Sequence, residues 1–226
     1  CTQGPQRRAA RQRKHCSGAR QALSMHPAST FHWTDQAALR NFAEAVGFGI
    51  LAVSKPSGVG VAHLPFLFLG PDRVGFHVAK RNPIAIGLDG QRAVLVVNGA
   101  QAYVSPDWYG LDHNQVPTWN YLAAEFEGHV SALSNASLIA QVDALTAMHE
   151  SRLAPKPEWT RAKMDDGRFE KMIEAVHGFE LRVTDWRGTA KLGQNKPKSA
   201  RMSAADAIQA AGNVELAALM REPPNG

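Results

Sequence analysis

The stretch that most limits the possible folds is Gly99 to Tyr121, which reads GAQAYVSPDWYGLDHNQVPTWNY. Its two tryptophans and three tyrosines fall in three clusters: Tyr103-Val104-Ser105-Pro106, Asp107-Trp108-Tyr109 and Pro117-Thr118-Trp119-Asn120-Tyr121. An apolar, mostly β-branched run, Val94 to Val97, precedes it, and Ala123 to Val130 after it alternates like a strand. The segment therefore reads as a loop between two strands. Rings of this size are costly to leave in water, so they need a core, another subunit or a flat ligand. The residues alone leave all three open.

The flanks extend the β pattern. Thr34-Asp35 opens a helix running to about Val46, with Ala38, Leu39, Phe42 and Val46 at helical spacing and Gly47 as its stop. Phe48 to Ser54 reads as a strand, Lys55 to Gly58 as a hairpin turn and Val59 to Leu69 as a second strand. Pro65 cannot donate to a ladder, so that strand should be an edge or carry a bulge. Val74 to Val78 is a third strand, and Asn82 to Leu88 a short helix opened by Pro83. Arg92 to Asn98 and Gln101 to Val104 read as strands four and five, and another follows Trp119. Six short strands joined by turns predict an antiparallel barrel or sandwich. Helices are then expected at Asn135 to Leu153, Asp165 to Val176 and Ser203 to about Leu219. A strand is expected at Phe179 to Asp185, and a basic loop at 187–201. The class is α+β, mainly β.

Composition separates a tail from the body. The 226 residues carry a formal charge of +5. Arg7, Arg8, Arg11, Arg13, Lys14 and Arg20 all precede Met25, with no acid among them, so the charge from Met25 onward is −1. A near-neutral body lacks the electrostatic footprint of a duplex-DNA binder. The tail could be a transit peptide, a nucleic-acid arm or a disordered piece upstream of the true start at Met25, the last being the reading favoured here. Residues 25–226 then form one domain, with helical additions at about 134–176 and 203–219. Cys1 and Cys16 both lie in the tail, so the body uses no disulfide or thiolate, which suits a cytoplasmic protein. No apolar run reaches the roughly 20 residues of a membrane span.

Three constellations could carry chemistry. Ala79-Lys80-Arg81-Asn82-Pro83 places two cations and an amide where a strand meets a helix start, a phosphate-binding arrangement unless the charges are merely solvated. His63 and His77 sit one strand apart and read as buried, hydrogen-bonded residues that line the site; with no third ligand nearby a metal is not expected. Lys191-Leu192-Gly193-Gln194-Asn195-Lys196 is a solvated loop or a second anion- and amide-bearing piece. Glu125 and Glu127 share a strand face and are expected to point to solvent. No catalytic residue is identified.

AYVSPDWY followed by VPTWNY, with His63-Leu64-Pro65-Phe66, His77 to Pro83 and Lys191 to Lys196, resembles the FMN-binding negative transcriptional regulator family over roughly Met25 to Ala218. The resemblance implies an antiparallel split β-barrel, similar to that of the pyridoxamine-phosphate oxidases, working as a homodimer with FMN at the subunit interface. It implies that His63, Leu64, Pro65 and Phe66 run beside the flavin ring and that Lys80, Arg81 and Asn82, with Ala79 and Pro83, hold the phosphate. Trp119, Asn120, Ser105 and Trp108 would close the site, and Lys191, Gln194 and Asn195 complete it, some from the partner subunit. The family pattern carries serine where this chain has Gly193. DNA contact, if the chain represses, would come from the dimer surface, with 187–201 as the candidate stretch, or act through a partner. The alternative reading is an FMN-dependent oxidoreductase acting on a small conjugated substrate.

Overall fold

A computed structural model describes residues 25–224; the basic tail expected at 1–24 lies outside them. Six antiparallel strands close into a ring: β1 (Phe48–Lys55), β2 (Gly58–Phe68), β3 (Arg73–Ala79), β4 (Arg92–Val104), β5 (Thr118–Ala132) and β6 (Val176–Lys191), in the spatial order β1-β2-β3-β6-β5-β4. Inward positions alternate along every strand. Leu64, Phe66, Phe76, Leu95, Phe126 and Leu181 fill the interior with at most 2% exposure. Closure removes the free edges that a six-stranded open sheet would carry.

The ring is weakest between β2 and β3. Their pairing covers only Phe66↔Phe76, Leu67↔Gly75 and Phe68↔Val74. From Pro65 back to Gly58 the strand pairs with β1 alone. The Phe66 N–H donates to the Gly47 carbonyl, so even-numbered residues of β2 bond toward β1. The odd-numbered ones, Val59, Val61, His63 and Pro65, turn their backbone groups into the opening. Pro65 therefore sits at an edge, as expected, and its missing donor costs no ladder bond.

Helices cover part of the barrel. Asp35 caps α1 (Gln36–Val46) by accepting from the Ala37 and Ala38 N–H groups, and Gly47 ends it at φ 66°. α2 (Asn135–Glu150) and α3 (Arg168–Ile173) lie over the β3–β6 side; a Cβ on Gly178 of β6 would stand 2.9 Å from Leu138. α4 (Lys198–Ala210) and α5 (Val214–Arg221) pack together near the end of β4.

The structure corrects several expectations. Strands four and five are one strand, β4, because Gly99 forms a bulge rather than a turn; a Cβ there would meet Phe42 of α1 at 2.7 Å. The helix expected at 82–88 is a single 3-10 turn, Pro83–Ala85. The helix expected to reach Val176 stops at Ile173, since residues 176–178 pair with β3. The basic segment is strand to Lys191. The final helix is two, broken at Gly212 (φ 94°), with Asn213 capping the second. Glu125 and Glu127 are not simply solvated: Arg187 binds Glu125 at 3.0 Å, Glu127 at 2.7 Å and Asp185 at 2.6 Å. Burial works against the Arg187 charge, but the bonds to Glu127 and Glu125 raise its pKa, and the bond to Arg187 draws the Glu127 carboxyl below its usual range.

β5 and β6 shift register between Glu127 and Gly128, with Thr184 as the extra residue. A Cβ on Gly128 would lie 1.9 Å from the Arg182 carbonyl oxygen. Gly128→Ala is therefore expected to cost about 3 kcal/mol, read as a lower urea midpoint; an unchanged midpoint would show that the two strands can separate there.

Candidate functional site

The predicted site residues fall into two groups at opposite ends of the barrel. At one end the β1–β2 hairpin meets the turn after β3. Lys55 Nζ donates to the carbonyls of Pro83 (2.8 Å), Ile84 (2.9 Å) and Ile86 (2.8 Å), which anchors that turn against the hairpin. Asn82 accepts from the Ile84 N–H at 3.1 Å, so its oxygen is spent on the turn. One 3-10 turn offers no helix dipole, which removes that part of the expected phosphate site. The cations remain: Lys80 and Arg81 are exposed and make no ion pair or side-chain hydrogen bond with the described residues. A cleft of about 270 Å³ lies beside them, lined by Lys55, Val59, Val61, Asn82 and Pro83 among others. Lys55 was not among the sequence candidates, because a lysine in a hairpin turn carries no signal of what it anchors.

His63 and His77 both point outward, but they do not face each other. His63 lies opposite Ile50 of β1 and is exposed, not buried. His77 is the first β3 residue beyond the last β2–β3 pair, Phe66↔Phe76, and so stands at the mouth of the opening. His77 is partly buried beneath the helical cover, its Nδ1 is buried without a partner, and desolvation lowers its pKa from 6.5. Leu64 and Phe66 face the core and their backbone groups bond toward β1, so of this motif only His63 and Pro65 turn backbone groups into the opening. Ala79 and Pro83 are exposed beside it.

The other end is built from β4, β5, the loop between them and the turn after β6. Ser105 caps the 3-10 turn Pro106–Tyr109 by accepting from the Asp107 N–H. Trp108 is half-buried against the core. Trp119, 49% exposed, stands edge-on to Tyr103 at 6.4 Å and donates through Nε1 to Gln101 at 3.2 Å. The aromatic loop thus divides its rings between core and surface. Gln194 is absorbed locally: it accepts from the Leu192 N–H at 2.8 Å and donates to the Ala190 carbonyl at 2.6 Å.

Next to it is a smaller cleft of about 200 Å³, lined by Tyr109, Thr118, Asn120, Lys191, Asn195 and Lys196 with neighbouring residues. Lys191 Nζ donates to Thr118 Oγ1 at 2.8 Å, and Lys196 Nζ to Gln115 at 2.6 Å. Asn120 is 1% exposed, yet neither end of its amide has a hydrogen-bond partner of normal geometry. Burial raises the Tyr109 hydroxyl pKa, and the adjacent Asn120 amide partly opposes that rise. A Cβ at Gly193, where the family pattern has serine, would stand 3.8 Å from Asn120 Nδ2, so a hydroxyl there could have reached the amide. Tyr109, Thr118 and Lys196 join the candidates; Tyr109 and Lys196 were legible only as part of the motifs around them. Among the described residues no group of three or more His, Cys, Asp or Glu is placed to hold a metal ion, and no helix is long and apolar enough to cross a membrane.

Unpaired backbone groups in the β2–β3 opening, two free cations beside it and an orphaned amide at the far end suit a flat, polar-edged, phosphorylated ligand. A six-stranded barrel that opens in this way places the chain in the class of flavin-binding split barrels. The chain belongs to the family described as "Putative FMN-binding domain", whose model matches residues 25–185, and FMN is its cofactor. It is 27% identical over 183 residues to the protease synthase and sporulation protein PAI 2 of Bacillus subtilis, covering 79% of this chain and 86% of the relative. In fold it is similar to the FAD and haem binding protein of Mycobacterium smegmatis, with TM-score 0.54, 19% identity and 80% of each chain covered. A flavocytochrome of Azotobacter vinelandii aligns with TM-score 0.52 and 16% identity, over 71% of this chain and 69% of its own.

Two outcomes follow from the buried polar groups. Asn120→Leu replaces an unpartnered amide by an apolar group of similar size and is expected to stabilise the FMN-free protein by about 1 kcal/mol; a lower urea midpoint than wild type would show that the amide is partnered. The folded chain takes up the His77 proton only at lower pH than the unfolded chain, whose value is about 6.5. Between the two the unfolded state binds more protons, so stability is lost as pH falls below about 6.5. His77→Phe should flatten that acid limb in pH-dependent urea titrations, and an unchanged limb would assign it to other groups.

Proposed function

We propose that this chain is a cytoplasmic homodimer holding FMN at the subunit interface, with Lys80 and Arg81 of one subunit on the phosphate and the Trp119–Lys191 end of the other closing over the ring. The observation that carries it is the separation of the two groups. Ala93 of β4 lies opposite Val53, near the Lys80 end, and Tyr103 is ten residues further along the same strand. That is roughly 30 Å at the rise of a strand. One mononucleotide does not reach both ends of one barrel, but a two-fold arrangement brings the end of one subunit to the opening of the next.

The outer face between the two groups supports this reading. Phe48, Val59, Val61, Tyr103 and Trp119 are each 49–72% exposed. Ala52 pairs with Val61 and Val94, and Ile50 with His63 and Val96, so these rows form one uncovered, largely apolar face across β2, β1 and β4. The Arg92–Glu127–Arg187–Glu125 ion pairs border it, in the manner of a polar rim around an apolar interface.

The proposed output is negative transcriptional regulation, in keeping with the sequence resemblance and with a relative named for sporulation. Residues 187–201 do not serve as a DNA stripe in this reading, since Arg187 is neutralised by three carboxylates and Lys191 and Lys196 turn into the cleft. Repression would then pass through a partner protein. A gel shift in which the FMN-loaded chain alone retains a specific duplex at physiological salt would contradict this. The second reading, an oxidoreductase, is favoured by one observation, a large apolar cavity beside the opening.

Subunit mixing tests the composite site. Lys80→Ala with Arg81→Ala is expected to weaken FMN binding about 100-fold, at roughly tenfold per charge-assisted contact. Trp119→Ala with Lys191→Ala breaks the other end. Refolding the two variants together should restore tight FMN binding at about a quarter of the sites, because half the dimers are mixed and each mixed dimer holds one intact site. No recovery, measured by flavin absorbance after dialysis, would place each site within a single chain.

A further inference from the structure

A cavity lies outside the barrel, between β3, α2, α3 and residues 158–164, and has a volume of about 520 Å³. That is within the range of about 300–1,000 Å³ for small-molecule sites. Val142, Trp159, Met164, Phe169, Met172 and Ile173 are among its wall residues, most of which are apolar. Trp159 and Met172 remain 39% and 57% exposed beside it, so the helical cover does not consume its own apolar surface.

Of the polar residues in the wall, Thr146, Asp143 and Arg161 are engaged with protein groups, and Thr160 is exposed. Thr146 Oγ1 donates to the Val142 carbonyl at 2.8 Å. Arg161 pairs with Asp143 at 3.2 Å and lies 4.8 Å from the Phe169 ring centroid. Glu158 lines the cavity as an exposed residue. Among the described lining residues, the buried side-chain atom left without a partner is His77 Nδ1. A flavin ring carries several hydrogen-bonding atoms along its pyrimidine edge and would leave most of them unmatched here. The open backbone of Val59, Val61 and His63 suits that edge better. His77 follows directly on Phe76, the last β3 residue paired with β2, and lines the cavity, so cavity and opening adjoin.

We propose that this cavity binds an uncharged, flat aromatic molecule of about two fused rings, held between Trp159 and Phe169 with one polar substituent on His77 Nδ1. Its place beside the flavin rests on the reading above; its occupancy does not. The ligand is neutral because Arg161 and Asp143 already pair with each other, while Glu158 opposes an anion. Burial lowers the His77 pKa, which keeps the ring uncharged and able to exchange one hydrogen bond with such a ligand.

The test is a titration of the FMN-loaded 226-residue chain with 2-naphthol, followed by naphthol fluorescence, with 2-naphthoate as the charged control. Saturable binding of one naphthol per chain is expected, with naphthoate about tenfold weaker or worse. Ala147→Phe on α2 and Ala162→Trp on the covering segment fill the cavity from opposite sides. Each should weaken naphthol binding at least about tenfold while leaving flavin absorbance and the melting temperature near wild type. Absence of saturable binding, binding unchanged in both variants, or naphthol displacing FMN would overturn the assignment. Loss of FMN with naphthol binding intact would overturn the flavin reading and leave the cavity standing.

Discussion

The short seam between β2 and β3 is the feature on which the rest of the molecule depends. Four strand pairs around the ring run for seven or more residues, and the closing β1–β4 pair runs for four. The β2–β3 pair runs for three. Beyond it the odd-numbered backbone groups of β2 have no strand to bond. Pro65 stands where the pairing stops, so the chain forgoes a donor where none is needed. Buried backbone groups must be satisfied somehow. An opening that leaves them to solvent or a ligand is tolerable only at the surface, and that is where the free cations Lys80 and Arg81 and the exposed His63 are found.

Asymmetric covering follows from that seam. α2 and α3 shield the β3–β6 side, and Gly75 and Gly178 let Leu69, Gln141 and Leu138 approach the strands closely. The helices that reach β4 meet it near Gly99 and its far end, and the Val61–Ala52–Val94 and His63–Ile50–Val96 rows of the β2–β1–β4 side stay largely apolar. A barrel covered on one side and bare on the other presents the bare side to another surface. A second copy is the economical partner, because it brings the missing end of the site with it. The charge pattern agrees. Arg187 of the outer face is tied to three carboxylates, and Lys191 and Lys196 of the segment that looked free in one dimension are drawn to the cleft.

Much of the fold was legible beforehand. The alternation of Phe48 to Ser54 and Val74 to Val78, the Asp35 cap and the Gly47 stop all act locally, and local signals survive folding. The break expected at Gly99 was misplaced because glycine marks both turns and close approaches; which one applies depends on whether a ring such as Phe42 arrives from elsewhere in the chain. Of the site, the motifs around Lys80 and Lys191 were readable as residue types. That Gln194 bonds its own turn, that Lys55 anchors the Pro83 turn and that Asn120 is buried without a partner were not, since each depends on neighbours distant in sequence or on the exact turn formed.

The sequence by itself determined antiparallel strands forming a barrel or sandwich, helical additions and a body without cysteine, which are matters of periodicity, composition and short-range hydrogen bonding. The split barrel and the flavin were implied by the resemblance of its motifs to a known family. The tertiary structure decided where the motifs stand. It set them at two ends of one barrel, turned His77 away from His63 and into an apolar cavity, and left one sheet face uncovered. Strand register and closure determine those positions. Register is a long-range property: a one-residue slip would turn every side chain of a strand to the opposite face without changing its pattern.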